Sequence, residues 1–517
     1  MNRLRVIGSA LVILAAAYAG GWLVQRVIRG RDTSERDGAM LLQSVMQRVQ
    51  DSYVDPIDEE RMWELAMKGM IEEMGDPNTA YLTPDRLERL NRTASNSYTG
   101  VGLVVDVREG WVTVVQTRPG SPAEKAGLQP GDRLVEMDGK SMRGWTIAEA
   151  RTGFRGPTGS SVALRIERGA NTRLNVSLER SAIFVSAIAR ATVIEGGVGY
   201  LAVTTFSDST EKELISTVDS LRQAGARSII LDLRGNPGGL LSQGVGVADL
   251  FLPAGKLIVS TKGRVETVTA AYVDSTAERW SDLPVAVLVN RGTASAAEIV
   301  AGALQDHDRA IVMGRATYGK GSAQAIYNLE NGAALSLTNA RWFTPLGRSI
   351  EYKQPDETPV VDADTSRPEF RTATGRVVYG GGGIVPDLAV GDSAPDPAER
   401  RFYSQIGREV PAFRQVVRDL STALVREGAV ADSNFTPQAA WRQRLRTQME
   451  RQNLYVDAVT YEESAEMLDR LLGNEVARVG FGVPFAQRRQ VRIDPVVQQA
   501  AERLRRAKKA RDVFTAE

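Results

Sequence analysis

Ser295 is a candidate nucleophile because of where it lies in the segment NRGTASAAE, residues 290–298. The apolar run before it predicts a buried strand, and the residues after it predict a helix. Free backbone N–H groups and the helix dipole at such a junction can stabilise an oxyanion. A serine that only caps the helix is the commoner explanation. The segment lacks Gly-x-Ser-x-Gly and does not support an α/β-hydrolase elbow.

A second segment could supply donors for that oxyanion. The stretch LDLRGNPGGL, residues 231–240, runs from a predicted strand into a glycine-rich turn and then a helix. Gly238 and Gly239 leave their backbone N–H groups open to an anion, because no side chain blocks the approach. A plain strand-to-helix turn explains the segment equally well.

A lysine is the better candidate for the base that a serine nucleophile needs. The only histidine, His307, follows Ser295 by 12 residues, which places it roughly 18 Å away along a helix. We therefore predict that His307 is a helix-end residue. Lys320 lies in GRATYGKGSAQ, residues 314–324. A lysine in a dry pocket can lose its proton, and serine–lysine pairs are a known variant of the catalytic triad.

The segment around Lys320 also nearly matches the phosphate-binding loop Gly-x-x-x-x-Gly-Lys-Ser/Thr. Gly321 stands where a magnesium-binding hydroxyl is needed, and residues 325–329 alternate like a strand rather than a helix. A nucleotide-hydrolysing enzyme is therefore disfavoured. A measurement showing that the protein binds a nucleotide would reopen this hypothesis.

The composition limits the remaining chemistry. The 517 residues include no cysteine and one histidine, which excludes disulfide scaffolds, thiol peptidases and metal sites built from cysteine or paired histidines. The formal charge is +1 and gives no electrostatic reason to expect nucleic-acid binding. We expect neither a cofactor nor a metal.

The elements that position these residues follow from the spacing of apolar residues. Apolar residues in 39–90 have helical spacing. The pattern of residues 99–180 predicts short strands separated by turns, and that of residues 199–387 predicts buried strands alternating with helices. The last pattern is typical of an α/β domain. The pattern of residues 399–517 predicts several amphipathic helices rich in arginine. The length of the chain predicts about three domains.

The N-terminus carries a candidate export signal. Val6 to Val24 form an apolar run of 19 residues with arginines on both sides, about enough for a helix to span a bilayer. Ala17-Tyr18-Ala19 resembles a signal-peptidase site. A retained anchor and a cleaved signal both remain open, the anchor slightly favoured. Either one places the bulk of the chain in the periplasm or outside the cell.

The three segments in this order resemble the carboxy-terminal processing (tail-specific) serine peptidases. The resemblance rests on TASAAE around Ser295, GKGSAQ around Lys320, their separation of 25 residues, and LDLRGNPGG. It implies that Ser295 is the nucleophile, that Lys320 is the general base and that Gln324 orients the lysine.

The same resemblance implies an oxyanion hole. The Ala296 N–H would form it together with an N–H of the turn containing Gly238 and Gly239, and which glycine donates is open. The chain departs from the family pattern mildly at Ala297, which stands where a second serine is usual. The stretch after residue 350 is longer than usual, and the C-terminal region has no assignable counterpart.

The family also carries a PDZ domain before its catalytic core. The match here comprises YTGVGLV (98–104), SPAEKAGL (121–128) and PGD (130–132). The resemblance implies that Gly100, Val101, Gly102 and Leu103 present backbone N–H groups to a peptide's terminal carboxylate while the peptide adds to a sheet edge. A bulge or turn is the plain structural reading of the two glycines.

The implied fold class is multidomain α+β, with a PDZ β-domain ahead of a spiral α/β core of the crotonase/ClpP type and flanking helical regions. The expected bounds are 1–30 for the signal or anchor, 38–95 for an N-terminal helical region, 96–180 for the PDZ domain, 181–392 for the peptidase core and 399–517 for a C-terminal helical region.

The implied function is a serine endopeptidase that binds the C-terminal tails of exported proteins and cleaves near them. Expected partners are proteins or peptides with free C-termini, and the membrane through the N-terminal segment; homo-oligomerisation is left open. The rival is a non-catalytic PDZ scaffold with a degenerate core. Intact Ser295, Lys320 and Gln324 argue against that rival.

Overall fold

The computed structural model describes residues 37–169, 172–351, 367–391 and 397–515. The apolar run 6–24, the predicted anchor or signal, lies outside these residues. Across the described ranges, no helix is both long and apolar enough to cross a membrane. The chain divides into two compact units: the residues before Pro84 with Ala325–Thr338, and the remainder.

The part of the first unit before Pro84 that the structure describes includes α1 (37–52), α2 (Glu59–Glu72) and β1 (Ala80–Leu82). Asp58 caps α2 by accepting a hydrogen bond from the Arg61 N–H at 2.9 Å. β1 pairs antiparallel with residues 334–336. The helical prediction for residues 39–90 is therefore wrong at β1, because that strand is stabilised by a partner about 250 residues away.

The second unit begins with a helix and a β-domain. Its elements are α3 (Pro84–Ala94), β2 (Ser97–Gly100), β3 (Leu103–Arg108), β4 (Trp111–Thr117), α4 (Pro122–Lys125), β5 (Arg133–Met137), β6 (Lys140–Ser141), α5 (Ile147–Phe154), β7 (Ser161–Arg168), β8 (Thr172–Glu179) and β9 (Ser181–Phe184). One antiparallel sheet has the order β3-β4-β5-β7-β8, and β2 pairs separately with β9. The predicted strands around residues 111–115 and 162–166 are confirmed.

An α/β part follows, and all of it except residues 325–338 belongs to this unit. Its elements are β10 (Ile188–Ile194), β11 (Val198–Val203), α6 (Thr210–Gln223), β12 (Ser228–Asp232), α7 (Leu241–Asp249), β13 (Leu257–Gly263), β14 (Ala270–Val273), β15 (Val285–Val289), α8 (Ala296–Asp306), β16 (Ile311–Gly314), β17 (Ser322–Asn328), β18 (Ala334–Phe343), β19 (Glu369–Arg371), β20 (Val377–Tyr379) and β21 (Leu388–Ala389). The buried strands β12 and β15 and the helices α6 and α8 confirm the sequence prediction within a residue or two.

The central sheet has the order β10-β11-β12-β15-β16-β21 and is parallel from β11 onward. Parallel neighbours bring the carboxyl ends of β12 and β15 to one edge, where the two candidate segments begin. A second sheet contains β13, which pairs with β14 and with residues 340–343 of β18. The described parallel strands thus position the turn after β12 beside the start of α8.

Residues 397–515 contain the α-helices α9 (Pro397–Ile406), α10 (Val410–Arg426), α11 (Ala439–Arg451), α12 (Ala458–Glu463), α13 (Ala465–Phe481), α14 (Val483–Ile493) and α15 (Pro495–Arg506). This confirms the predicted amphipathic helices. Most of them share an apolar core containing Phe402, Phe413 and Leu468. The last helix, α15, packs instead on the central sheet, against residues such as Ile230 and Leu288.

Candidate active site

Ser295 occupies a strained backbone position at the start of α8. Its φ of 54° and ψ of −120° lie in a region that non-glycine residues rarely adopt. Such conformations cost of order 1–3 kcal/mol and cluster at functional sites. A nucleophile on a strained strand-to-helix junction is also found in other serine hydrolases, although this segment lacks their Gly-x-Ser-x-Gly sequence.

One buried carboxylate joins Ser295 to the segment that contains Lys320. Oε2 of Glu298 accepts hydrogen bonds from the Ser295 N–H at 2.7 Å and the Lys320 N–H at 3.0 Å. Oε1 accepts from the Thr317 hydroxyl at 2.5 Å and the Gly319 N–H at 2.7 Å. Two candidate residues that are distant in sequence are thereby held on either side of a single oxygen atom.

The burial of Glu298 changes its ionisation. Its side chain is completely buried, and burial raises the pKa of the carboxyl to about 7, against the opposing effect of the four hydrogen bonds. Sequence analysis assigned this residue no role. The available signal was its position three residues after Ser295, the spacing of a serine–glutamate capping box.

The loop before β17 does not form a phosphate-binding site. The N–H groups of Gly319 and Lys320 point at the carboxylate of Glu298, an anion where a phosphate would have to bind. A strand follows the lysine, as the alternation predicted, and the Lys320 carbonyl accepts from Trp342 Nε1 at 3.0 Å. These contacts argue further against the nucleotide-binding alternative and fix the backbone of the half-buried lysine.

His307 lies at the far end of α8, where it was predicted. It caps the C-terminus of the helix, and its Nε2 is 2.7 Å from the Leu257 carbonyl oxygen. This contact gives the histidine a structural role away from Ser295.

The turn after β12 lies directly against the start of α8. A Cβ on Gly238 would be 2.7 Å from the Ala294 oxygen and 2.8 Å from Ser295 Cβ, and one on Gly239 would be 2.1 Å from the Phe206 oxygen. Both glycines also have positive φ, 96° and 146°. Close approach and conformation therefore both require glycine here.

The hydrogen bonds of the turn distinguish the two candidate oxyanion donors. The Gly238 N–H already donates to Asn236 Oδ1 at 2.9 Å. Within the described residues, the exposed Gly239 N–H has no acceptor. Ala296 is the first residue of α8, so its N–H has no partner within the helix. The geometry therefore favours Gly239 over Gly238 as the partner of Ala296.

Gln324 lies on β17, four residues after Lys320. Its Nε2 donates to the Ser322 hydroxyl at 2.9 Å. These two side chains project from the same face of the strand. The predicted role of Gln324 in orienting Lys320 stays a prediction.

The predicted carboxylate-binding loop leads into an edge strand. β3 is the outermost strand of its sheet as described, and α5 packs beside it. The Val101 side chain is completely buried in the domain core, and Leu103 nearly so, leaving only backbone groups of this loop for a ligand. Gly102 has φ of 79°, and a Cβ there would overlap Ser121 Cβ at 2.1 Å. Packing thus requires glycine at position 102 whether or not a peptide binds. Packing also favours glycine at position 100, because a Cβ there would be 3.0 Å from the Tyr98 ring.

Comparison with known proteins identifies two families in the chain. The profile of peptidase family S41 matches residues 197–358, and that of the PDZ domain matches residues 113–168. The carboxy-terminal processing protease CtpA of Bacillus subtilis is 34% identical over 347 residues, covering 64% of this chain and 73% of that protein. The carboxy-terminal-processing protease of Bartonella bacilliformis is 36% identical over 312 residues, covering 59% and 71%.

Solved structures include similar chains. The photosystem II D1 C-terminal processing protease is 28% identical, with a TM-score of 0.37, and the match covers 68% of this chain and 92% of that one. The PDZ domain of a carboxy-terminal protease from Vibrio cholerae in complex with a peptide is 25% identical, with a TM-score of 0.16. That match covers 17% of this chain and 99% of the domain.

Proposed function

The chain belongs to peptidase family S41, the carboxy-terminal processing serine peptidases, and from that premise we propose that Ser295 and Lys320 form its catalytic pair. The observation that carries this proposal is the Glu298 carboxylate, which binds the backbone N–H groups of both residues through one oxygen. Backbone strain at Ser295 supports the assignment, since strain concentrates at functional positions.

In the proposed reaction, the neutral amine of Lys320 accepts the proton of the Ser295 hydroxyl as its oxygen attacks the scissile carbonyl. The N–H groups of Gly239 and Ala296 stabilise the resulting oxyanion. The lysine then gives the proton to the departing amine, leaving an acyl ester on Ser295. Water hydrolyses the ester by the same steps, and Gln324 orients the lysine.

The proposed core architecture is a spiral of the crotonase/ClpP type. Its support is the parallel arrangement from β11 to β21, the helices α6, α7 and α8 against one face, and the second sheet containing β13. An experimental structure of the full chain tests this description directly.

We also propose that the PDZ domain binds the free C-terminus of a protein substrate. The exposed edge of β3 offers unpaired backbone groups to an added strand, and the loop before it offers N–H groups to the terminal carboxylate. The substrates would be exported proteins that are cleaved near their C-termini.

A peptide with a free C-terminus is expected to bind the full-length Ser295→Ala variant at least about tenfold more tightly than the same peptide with a C-terminal amide. The reason is that hydrogen bonds to a charged group contribute about 1.5–3 kcal/mol, and 1.4 kcal/mol is tenfold in affinity. Fluorescence anisotropy measures both constants, and the alanine prevents cleavage. Equal affinities would show that the domain has another use.

For the location of the protein, we propose export with the N-terminal segment retained as a membrane anchor. Full-length protein is expected in the membrane fraction, with its core digested by protease added to the periplasmic or outer side. A soluble mature form beginning near Gly20 would establish instead that the apolar run is a cleaved signal.

The experiment that tests the proposed function compares the C-termini of cellular proteins in cells that express the wild type or Ser295→Ala. Shortened C-termini of exported proteins are expected only with the wild type. An activity-based serine label on the purified protein should attach to Ser295. An unlabelled protein that leaves every C-terminus unchanged would favour the scaffold alternative.

A further inference from the structure

The C-terminal helix α15 is part of the core that carries the candidate site. Its buried side chains, which include Val497 and Leu504, pack on the face of the central sheet formed by residues such as Tyr200, Ile230 and Leu288. Helices α6, α7 and α8 cover the opposite face. A parallel sheet needs both faces covered, so α15 supplies a layer that lies outside both matched family ranges.

Asp494 begins this helix and does two things at once. Its Oδ1 caps α15 by accepting from the N–H groups of Val496 at 2.9 Å and Val497 at 3.1 Å. Its carboxylate also binds Arg234, with Nη2 2.9 Å from Oδ2 and Nη1 3.3 Å from Oδ1. The helix start is thereby joined to a residue 260 positions earlier in the chain.

Arg234 is held between two carboxylates. Asp232, at the end of β12, accepts from Arg234 Nε at 2.9 Å and from Nη2 at 2.7 Å, a bidentate pair. The Tyr200 hydroxyl donates to the same Asp232 at 2.8 Å. A guanidinium bound through a rigid fork of donors holds its position more firmly than a lysine ammonium would.

Arg234 opens the turn that ends at Gly239. From the α8 side, the Ala294 N–H donates to the Asn236 oxygen at 2.9 Å and Asn290 Oδ1 accepts from the Gly235 N–H at 2.9 Å. From the segment before α6, the Phe206 N–H donates to the Gly238 oxygen at 2.9 Å and the Phe206 oxygen accepts from the Leu240 N–H at 2.8 Å. The ion pair with Asp494 adds a charged contact between the start of the turn and the C-terminal helices.

We infer that Asp494 is a positioning residue, which acts through Arg234 to set the turn that presents the Gly239 N–H to the oxyanion. The inference rests on the proposed function and deepens it. It gives the C-terminal helical region a part in the reaction, because an oxyanion hole stabilises charge only when its donors are held in place.

The test uses full-length Asp494→Asn, which separates the two roles of the side chain. An asparagine still caps a helix, but it has no charge with which to bind Arg234. Its kcat is expected to fall by about 10- to 100-fold, the scale for a slightly misplaced reacting group, at an unchanged KM and with a thermal midpoint lowered by only a few degrees, because the lost ion pair is partly exposed. Asp457→Asn is the matched control, since Asp457 caps α12 by accepting from the Thr460 N–H at 2.9 Å and has no arginine partner in the described residues.

A peptide aldehyde supplies a readout that a purely structural role would not change. Its tetrahedral adduct with Ser295 places an oxygen in the oxyanion hole, whereas the substrate peptide in its ground state does not. Asp494→Asn should weaken aldehyde inhibition about as much as it lowers kcat, and Asp457→Asn should change neither.

An active wild type with an equally active Asp494→Asn variant would overturn the positioning role and leave the proposed function intact. A fall in kcat together with a large fall in the thermal midpoint would also overturn it, because the lost activity would then reflect a role of Asp494 in folding. A wild type that cleaves no protein would overturn the proposed function, and the positioning role with it.

Discussion

Replacing Ser295 or Lys320 by alanine is expected to lower kcat/KM by ~10⁴-fold or more while the fold is retained. Members of a catalytic unit are not additive, so losing one costs about as much as losing all. Lys320→Arg should be equally inactive, because arginine keeps its proton and cannot act as a neutral base. The measurement is cleavage of a protein substrate, with circular dichroism to show that each variant is folded.

His307→Gln is the matched control for these variants. Glutamine can keep a hydrogen bond to the Leu257 carbonyl, which His307 contacts at 2.7 Å, but it cannot act as a base. Its activity should therefore stay close to that of the wild type. Substantial turnover by Lys320→Ala, or an inactive but folded His307→Gln, would reopen the choice of base.

The parts of the fold that could be predicted are those whose signal is local. β12 and β15 are short apolar runs between turn signals, and α8 follows its strand after a polar turn, so both kinds of element were placed correctly. His307 was likewise assigned to a helix end from spacing alone. β1 was missed because its three residues have no strand signal of their own and depend on pairing with residues 334–336.

The parts of the site that could not be predicted are contacts between distant segments. Gly238 and Gly239 looked equivalent in sequence, and only the bond from Gly238 to Asn236 separates them. For Gly102 the sequence favoured a ligand-binding loop over a bulge or turn, and only the structure shows that a side chain there would overlap Ser121. The pairing of Arg234 with Asp494 spans 260 residues and leaves no periodic pattern to read.

Glu298 is the missed residue with the largest expected effect on activity. Glu298→Ala would leave four donors without this acceptor, two of them buried at about 1–3 kcal/mol each, and would release Ser295 and Lys320 from their common oxygen. A displacement of about 1 Å at a reacting group can cost 10²-fold in rate. We expect kcat to fall by at least about 10²-fold.

Glu298→Gln keeps the shape and one carbonyl oxygen. That oxygen can serve Ser295 and Lys320, while the amide faces Thr317, whose hydroxyl can rotate to accept. The Gly319 N–H then loses its acceptor, and the Thr317 hydroxyl, which already accepts from the Ile384 N–H at 2.6 Å, loses the acceptor of its own hydrogen. Activity should therefore fall by about tenfold, less than the 10²-fold expected for alanine, because the bonds to Ser295 and Lys320 are kept. Equal losses in the two Glu298 variants would contradict this account of the four contacts.

The ionisation of Glu298 also predicts how stability depends on pH. Burial raises the pKa of Glu298 to about 7 in the folded protein, whereas a glutamate in an unfolded chain has a pKa of about 4.3. Between these values the folded state binds the extra proton, so the free energy of unfolding decreases as pH rises through the window. The full difference is about 4 kcal/mol, present below about pH 4.3 and lost above about pH 7.

Urea unfolding at pH 5 and pH 8 measures this contribution. The comparison is made in the Ser295→Ala background, which prevents self-cleavage, between the protein that keeps Glu298 and the protein that also carries Glu298→Gln. The protein with glutamate should lose more stability than the protein with glutamine on going to pH 8, because glutamine does not titrate. Identical losses would mean that Glu298 stays ionised throughout, with its four donors outweighing its burial, and that the clamp between Ser295 and Lys320 is insensitive to pH.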